Sequence, residues 1–227
     1  MHRVVNKNKQ NSNFMKKIIL SVAALAAVAT TTNAQSVRFG VKGGANFSNS
    51  MLENKAAGVT SPFGVGAYGG GLVEFSFKNP GDKFKLQLEA NYDFYNLRTK
   101  ATVNNVDVVS INRIHGISVP LEAKYFILPE FSVFAGPTFN FNLASNTSLK
   151  TGSTQGDKVE TTDYLNPFQV GGVVGVNYYI VKGFFVEARY NYIAPRPYDR
   201  VFGANDLGAT NNIQVGIGYK FDRKSSK

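Results

Sequence analysis

The sequence contains no cysteine and no tryptophan, and only two histidines among its 227 residues. Without cysteine there can be no disulfide, no thiolate metal site and no thiol nucleophile. Two histidines, His2 and His115, leave no imidazole-rich transition-metal site, because such sites gather several nitrogen or sulfur ligands. Charge is sparse at 18% of residues and lopsided, with 25 Lys+Arg against 15 Asp+Glu, a net +10. Half of that excess is local. Residues 1–34 hold five basic residues (Arg3, Lys7, Lys9, Lys16, Lys17) and no acidic one, so the remainder carries 20 against 15, or +5. No basic stripe is left, and binding to nucleic acid by counterion release is unsupported. Beyond residue 34 there is no run of 18 apolar residues, which rules out helical membrane spans, and no convincing 3.6-residue apolar period.

The first segment has its own plan. Met15-Lys16-Lys17 precedes an apolar stretch from Ile18 to Ala29, followed by small and polar residues ending at Ala34. A basic start, a short apolar run and a small-residue exit make a secretory signal peptide. Twelve apolar residues are too few to span a bilayer, which takes about 20. Residues 1–34 are therefore expected to be removed on export, with Met15 the true initiator, and residues 35–227 to form one domain. No cysteine follows the cleavage point, so a lipoprotein anchor is excluded.

What the remaining chain does contain is period two, eight times over. Apolar residues alternate with polar ones in runs beginning at Phe39, Phe63, Phe84, Ile117, Phe131, Phe168, Phe184 and Ile213. Each run is long enough for a tilted membrane-spanning strand, which needs about 9–11 residues. Connections also alternate. Long ones are expected at 48–61, 97–112, 144–163 and 193–211, and short ones at Lys78–Lys83, Leu128–Glu130 and Val181–Gly183. An even number of strands with long and short connections in turn predicts an all-β, eight-stranded, antiparallel up-and-down transmembrane β-barrel, with both termini at the short-turn end. Closure leaves no strand edge unpaired in lipid.

Alternation alone does not say which face looks outward, because a lipocalin-like soluble barrel would hide its apolar face in the lumen. The aromatics decide. On the apolar face, Phe47, Phe63, Tyr92, Phe94, Phe139, Phe141, Phe168, Tyr190 and Tyr192 fall at one end. Phe39, Phe75, Phe77, Phe84, Tyr125, Phe131, Tyr178, Phe184, Tyr219 and Phe221 fall at the other. Two aromatic belts around an aliphatic band match the two interfaces of a membrane. The other face then fills the lumen with Arg38, Lys42, Lys85, Lys124, Arg189 and Lys220 against Glu74, Glu89, Asp93, Glu122 and Glu187. An eight-stranded barrel is just wide enough for side chains to fill it, so a paired, filled polar lumen is expected.

Four segments carry a family resemblance: Phe39-Gly40-Val41-Lys42-Gly43-Gly44-Ala45-Asn46-Phe47, Ile117-Ser118-Val119-Pro120-Leu121-Glu122-Ala123-Lys124-Tyr125, Val186-Glu187-Ala188-Arg189-Tyr190-Asn191-Tyr192 and the closing Gly216-Ile217-Gly218-Tyr219-Lys220-Phe221. In this order they resemble the PorT-like outer-membrane β-barrel family, with an OmpA/OmpX-like eight-stranded architecture. The resemblance spans nearly all of residues 35–221. It implies a Gram-negative outer-membrane location and, for one branch, a part in protein secretion. The last strand, with Gln214, Gly216, Tyr219 and Phe221, resembles the signal read by the barrel-assembly machinery, although Asp222-Arg223-Lys224-Ser225-Ser226-Lys227 follows it. Pro120 and Pro137 lie inside adjacent strands, where a missing N–H normally marks an edge or a bulge, so the residues alone leave the register of strands four and five open there.

No catalytic, cofactor-binding or metal-binding residue is predicted. His115 and Ser118 are three apart in an extended strand and so face opposite ways, which denies them the contact a Ser–His pair requires. Glu89 and Asp93 share a face with ordinary basic partners. Gly69-Gly70-Gly71 lacks the Gly-Lys-Ser/Thr and the helix of a phosphate loop, and fits close strand packing better. The long connections carry mixed charge: Glu53 and Lys55; Arg98, Lys100 and Asp107; Lys150, Asp157, Lys158, Glu160 and Asp163; Arg196, Asp199, Arg200 and Asp206. The expected role is structural or interactive, through outer loops or an envelope or secretion complex. The expected partners are outer-membrane lipid, lipopolysaccharide and the assembly machinery. A narrow pore, a soluble periplasmic lipid-binding barrel and a lipid-A-modifying enzyme are the alternatives.

Overall fold

The computed structural model describes residues 36–52, 58–77, 82–103, 106–152, 154–194, 197 and 207–221. The expected leader, Met15, and the charged residues Glu53, Lys55, Arg196, Asp199, Arg200 and Asp206 lie outside them, as does the tail from Asp222.

Eight long strands follow one another: β1 Ser36–Leu52, β2 Gly64–Ser76, β3 Phe84–Val103, β4 Val106–Leu128, β5 Phe131–Thr151, β6 Phe168–Val181, β7 Phe184–Ala194 and β8 Leu207–Phe221. Each pairs antiparallel with its neighbours in sequence, and β8 pairs with β1 to close the ring. Register followed once around the ring runs from Val37 through Phe75, Leu86, Ala123, Ala135, Val174, Tyr190 and Ile213 to Phe47, so the path returns ten residues further along β1, from 37 to 47. Such stagger obliges the strands to tilt roughly 35–45° from the barrel axis.

The two faces are as the aromatics indicated and the reverse of a soluble barrel. Lys42, Lys85, Lys124, Arg189, Lys220 and all five predicted acidic residues are buried, whereas Val41, Val65, Val174, Val215 and Ile217 are exposed. The turn-end belt is built from cross-strand aromatic pairs: Phe39 opposite Phe221, Phe84 opposite Tyr125, Phe131 opposite Tyr178, and Phe184 opposite Tyr219. Aromatic neighbours on one face of an antiparallel pair stabilise it by a few tenths to about 1 kcal/mol. At the other rim Phe141 and Phe168 meet with ring centroids 5.2 Å apart. Phe75 departs from the expected belt, since it is buried.

The expected loops are corrected. The segment 97–112 is not a loop, because β3 continues to Val103 and β4 resumes at Val106; β5 likewise continues to Thr151. The Thr, Val and Ile residues there are strong strand formers, and cross-strand contacts such as Lys100 Nζ to Asp107 Oδ2, 2.8 Å, fix the hairpin. Three strands therefore rise past the rim as one sheet. Its flanks are covered by short pairings of Val59–Thr60 with β3, and of Thr154–Gln155 and Val159–Glu160 with β5.

The structure also supplies the register around the prolines, which the residues alone leave open. Register is unshifted on both sides of Pro120 and Pro137; the irregularities in β4 fall instead at His115/Gly116 and Phe126/Leu128. Each proline faces a gap in one ladder. Pairing of β3 with β4 lapses between Leu88/Leu121 and Asn91/Ser118, and pairing of β4 with β5 lapses between Pro120/Thr138 and Ala123/Ala135. The lost N–H opens a two-residue gap without displacing the strands, because closure on both sides holds the register.

Narrowness explains the inward glycines. A Cβ on Gly70 would lie 2.1 Å from the Ala90 carbonyl oxygen, and one on Gly218 would lie 2.3 Å from Cζ of Phe185. Gly69 and Gly71, which point outward, have no such constraint.

Candidate functional site: the lumen and its two ends

The lumen is organised in tiers. In the middle, Arg189 on β7 reaches across to β3, where Nη1 and Nη2 donate to the two carboxylate oxygens of Glu89, each at 3.0 Å. The same guanidinium pairs with Glu122 at 3.0 Å and, through Nε, with Glu187 at 2.7 Å. Lys42 Nζ lies 2.8 Å from both Glu89 and Glu187. Gln87 and Asn91 donate amide N–H groups to Glu89 at 2.6 and 2.9 Å. Two cations thus hold three carboxylates, with neutral donors sharing the remaining charge. Buried charges persist only when paired in this way, and bidentate arginine–carboxylate bonds are the strong form.

Rings complete the packing. Phe134 and Phe185, fully buried in the lumen, receive Arg189 (Cζ 5.0 Å from the Phe134 centroid) and Lys124 (5.3 and 6.0 Å) over their faces. Lys124 also donates to Gln87 at 2.8 Å. Sequence reasoning assigned the charges to the lumen but missed these rings. The signal was present: both stand in the polar phase of their strands, between outward Val133 and Ala135 and between Phe184 and Val186.

Towards the loop end, Asp93 accepts from Ser118 and from Gln214, the latter at 2.9 Å. Above it an apolar cluster of Tyr95, Leu97, Ile114, Leu165 and Ile193 closes the barrel. Leu165 is delivered by a short 3-10 turn, Thr162–Tyr164, in the connection after β5. Among the described residues this cluster is apolar throughout.

The turn end differs. Glu74 there meets three cations: Lys220 in close contact, Lys85 at 3.6 Å and Arg38 at 3.8 Å. Lys220 also donates to the Tyr179 hydroxyl at 2.8 Å. Below this tier a cavity of about 680 Å³ opens, lined by Arg38, Lys83, Lys85 and Lys182 with Asp82 and Glu130, and walled by Phe126 and Tyr179. It is the feature sequence reasoning could not find, because its lining comes from three separate turns and from Arg38 on β1.

His115 and Ser118 are kept apart as expected. Ser118 lies in the lumen on Asp93, while His115 sits at the outer rim, its Nδ1 2.7 Å from the Tyr92 hydroxyl and its ring 4.9 Å from Phe94. Among the described residues no group of three His, Asp or Glu side chains is placed to hold a metal ion, and no helix is long and apolar enough to cross a membrane.

A ring of eight strands, apolar outside and charged within, is an integral barrel of the outer membrane. The chain belongs to the outer membrane protein beta-barrel domain family, whose model matches residues 33–193. Closing strand β8 lies beyond the matched residues. Solved structures similar to this chain include Neisserial surface protein A (12% identity, 82% of this chain and 100% of that one, TM-score 0.48). Others are Ail, the attachment invasion locus protein of Yersinia pestis (14%, 82% and 100%, TM-score 0.42), and OprG of Pseudomonas aeruginosa (14%, 83% and 97%, TM-score 0.42). No curated protein sequence matches the chain.

Proposed function

We propose that this protein is a non-conducting, non-enzymatic barrel whose working surface is its loop end, exported by cleavage after Ala34 and inserted with the short turns towards the periplasm. The observation that carries this reading is the contrast between a lumen filled by the Arg189–Glu89–Glu122–Glu187 cluster and capped by Leu97, Ile114 and Leu165, and a three-stranded sheet that continues beyond the rim. Loops and edges presented by a rigid scaffold are the usual seat of recognition. The finer PorT-like assignment, with its link to envelope or secretion complexes, rests on the four segments quoted above, and lipopolysaccharide and the assembly machinery are the partners it implies.

The test is single-channel recording of the purified protein in planar bilayers. No stable conductance steps are expected, and steps that recur would overturn the reading. N-terminal sequencing of the membrane-fraction protein should begin at Gln35; retention of residues 15–34 would reject the leader assignment.

A further inference from the structure

The cavity at the turn end has two properties that ordinary lumen packing does not call for. First, its lining carries four cations, Arg38, Lys83, Lys85 and Lys182, against two carboxylates, Asp82 and Glu130; behind its wall Glu74 is shared by Lys220, Lys85 and Arg38, so cations outnumber carboxylates by two with that tier included. In the middle tier the balance runs the other way, two cations to three carboxylates. Second, one side of its rim is aliphatic. Ile127, Leu128, Ile180 and Val181, between 48% and 61% exposed, lie past the belt residues Tyr125 and Tyr178 on their strands. Aromatic belts sit at the headgroup level, so these four residues are apolar surface where the hydrocarbon has already given way to headgroups.

The cavity is also held in shape. Backbone bonds tie each surrounding turn to a neighbouring strand: Phe126 N to Lys83 O at 2.7 Å, Tyr179 N to Glu130 O at 2.7 Å, and Lys220 N to Gly183 O at 2.8 Å. Lys85 is steered over the Phe126 ring, 4.8 Å from its centroid. Its volume falls within the 300–1,000 Å³ typical of small-molecule sites.

We propose that this cavity binds the phosphate headgroup of an anionic phospholipid in the leaflet at the turn end. The phosphate lies among Arg38, Lys85 and the lip lysines Lys83 and Lys182, and the glycerol and ester carbons next to it cover Ile127, Leu128, Ile180 and Val181 at headgroup level. Basic groups near a bilayer surface attract anionic lipid in general; here the cations are set in a cavity whose rim offers apolar contact at headgroup level. The site belongs to the barrel itself. Only its assignment to the periplasmic leaflet rests on the orientation proposed above, and binding in detergent does not depend on orientation.

The test is native mass spectrometry of the full chain released from dodecyl maltoside, with equimolar phosphatidylglycerol and phosphatidylcholine, and separately with inorganic phosphate. One phosphatidylglycerol per barrel should be retained, roughly tenfold over phosphatidylcholine, and the double variant Lys83→Gln/Lys182→Gln should reduce retention by about the same factor. Both lysines are exposed, so the variant should keep the heat-dependent shift in gel mobility that marks an intact barrel. Ile180→Ser should weaken phosphatidylglycerol while leaving any phosphate binding unchanged. Equal retention of the two lipids, or a double variant that binds as the parent does, would overturn the proposal. Displacement of phosphatidylglycerol by equimolar inorganic phosphate would overturn the lipid assignment and leave a free-anion site.

Discussion

The two ends of the lumen solve the same problem differently. Towards the loops, polar pairing gives way to an apolar cap of Tyr95, Leu97, Ile114, Leu165 and Ile193. Towards the turns, charge continues to the opening, with Glu74 shared by Lys220, Lys85 and Arg38, whose side chain is 28% exposed. Between them, Arg189 and the carboxylates around it have no access to water. The same kind of ion pair therefore stands in two environments, and its removal should have different consequences. A cation deprived of its partner near an opening regains water, whereas one in the sealed tier leaves uncompensated charge in a low dielectric.

The largest effect should come from the sealed tier. Arg189→Met leaves Glu89, Glu122 and Glu187 close together, with Lys42 in contact with Glu89 and Glu187 and no cation in contact with Glu122 among the described ion pairs; breaking a buried pair from one side costs about 3–5 kcal/mol. Refolding into micelles should fail or the urea midpoint fall steeply, read as loss of the heat-shifted band. A midpoint unchanged from the parent would show that the cluster does not support the fold.

Glu74→Gln at the open end should cost less, about 1–3 kcal/mol, because Arg38 is partly exposed and can recover solvent, and buried Lys220 keeps the Tyr179 hydroxyl as an acceptor. If the two substitutions cost the same, the distinction between open and sealed tiers fails. At the cap, Ile114→Val removes one buried methylene and should lower stability by about 0.5–1.5 kcal/mol. Bilayer conductance should remain absent, since the tier below stays closed; the appearance of channels would make the cap, rather than the ion cluster, the seal.

The smallest effect is expected on the projecting hairpin. Lys100→Ala removes an exposed pair with Asp107, whose carboxyl is held below the usual carboxylate range by hydrogen bonds from Lys100 and Thr102. Because that shift is downward, whatever the pair contributes is present above the ordinary carboxylate pKa and fades as pH falls through the lowered value. Global stability should not change at neutral pH, while amide exchange at the hairpin tip quickens. A shifted unfolding midpoint would mean that the hairpin and barrel unfold as one unit.

Much of this architecture is readable along the chain. Period two gives strands, and the phase of each run assigns Lys42, Glu89 and Arg189 inward and Val41, Ala90 and Tyr190 outward. The sorting of rings to strand ends gives the membrane face. Polar composition misled at 97–112, where Thr and Asn suggested a loop although Thr, Val and Ile favour strands and the cross-strand partner supplies what composition does not show. At Pro120 and Pro137 the local signal leaves the register open, and the closed ring holds it unshifted.

The sequence by itself determined the number of strands, the two faces and the charge content of the lumen, because side-chain direction in a strand is a local property of odd and even positions. Tertiary structure decided everything that depends on closure. The ten-residue stagger brings Arg189 to Glu89, a hundred positions earlier in the chain, and sets Lys220 against Glu74. It also gathers three turns around one cavity and carries Leu165 over the loop end. Those pairings follow from register around a ring, and register is fixed only when the last strand meets the first.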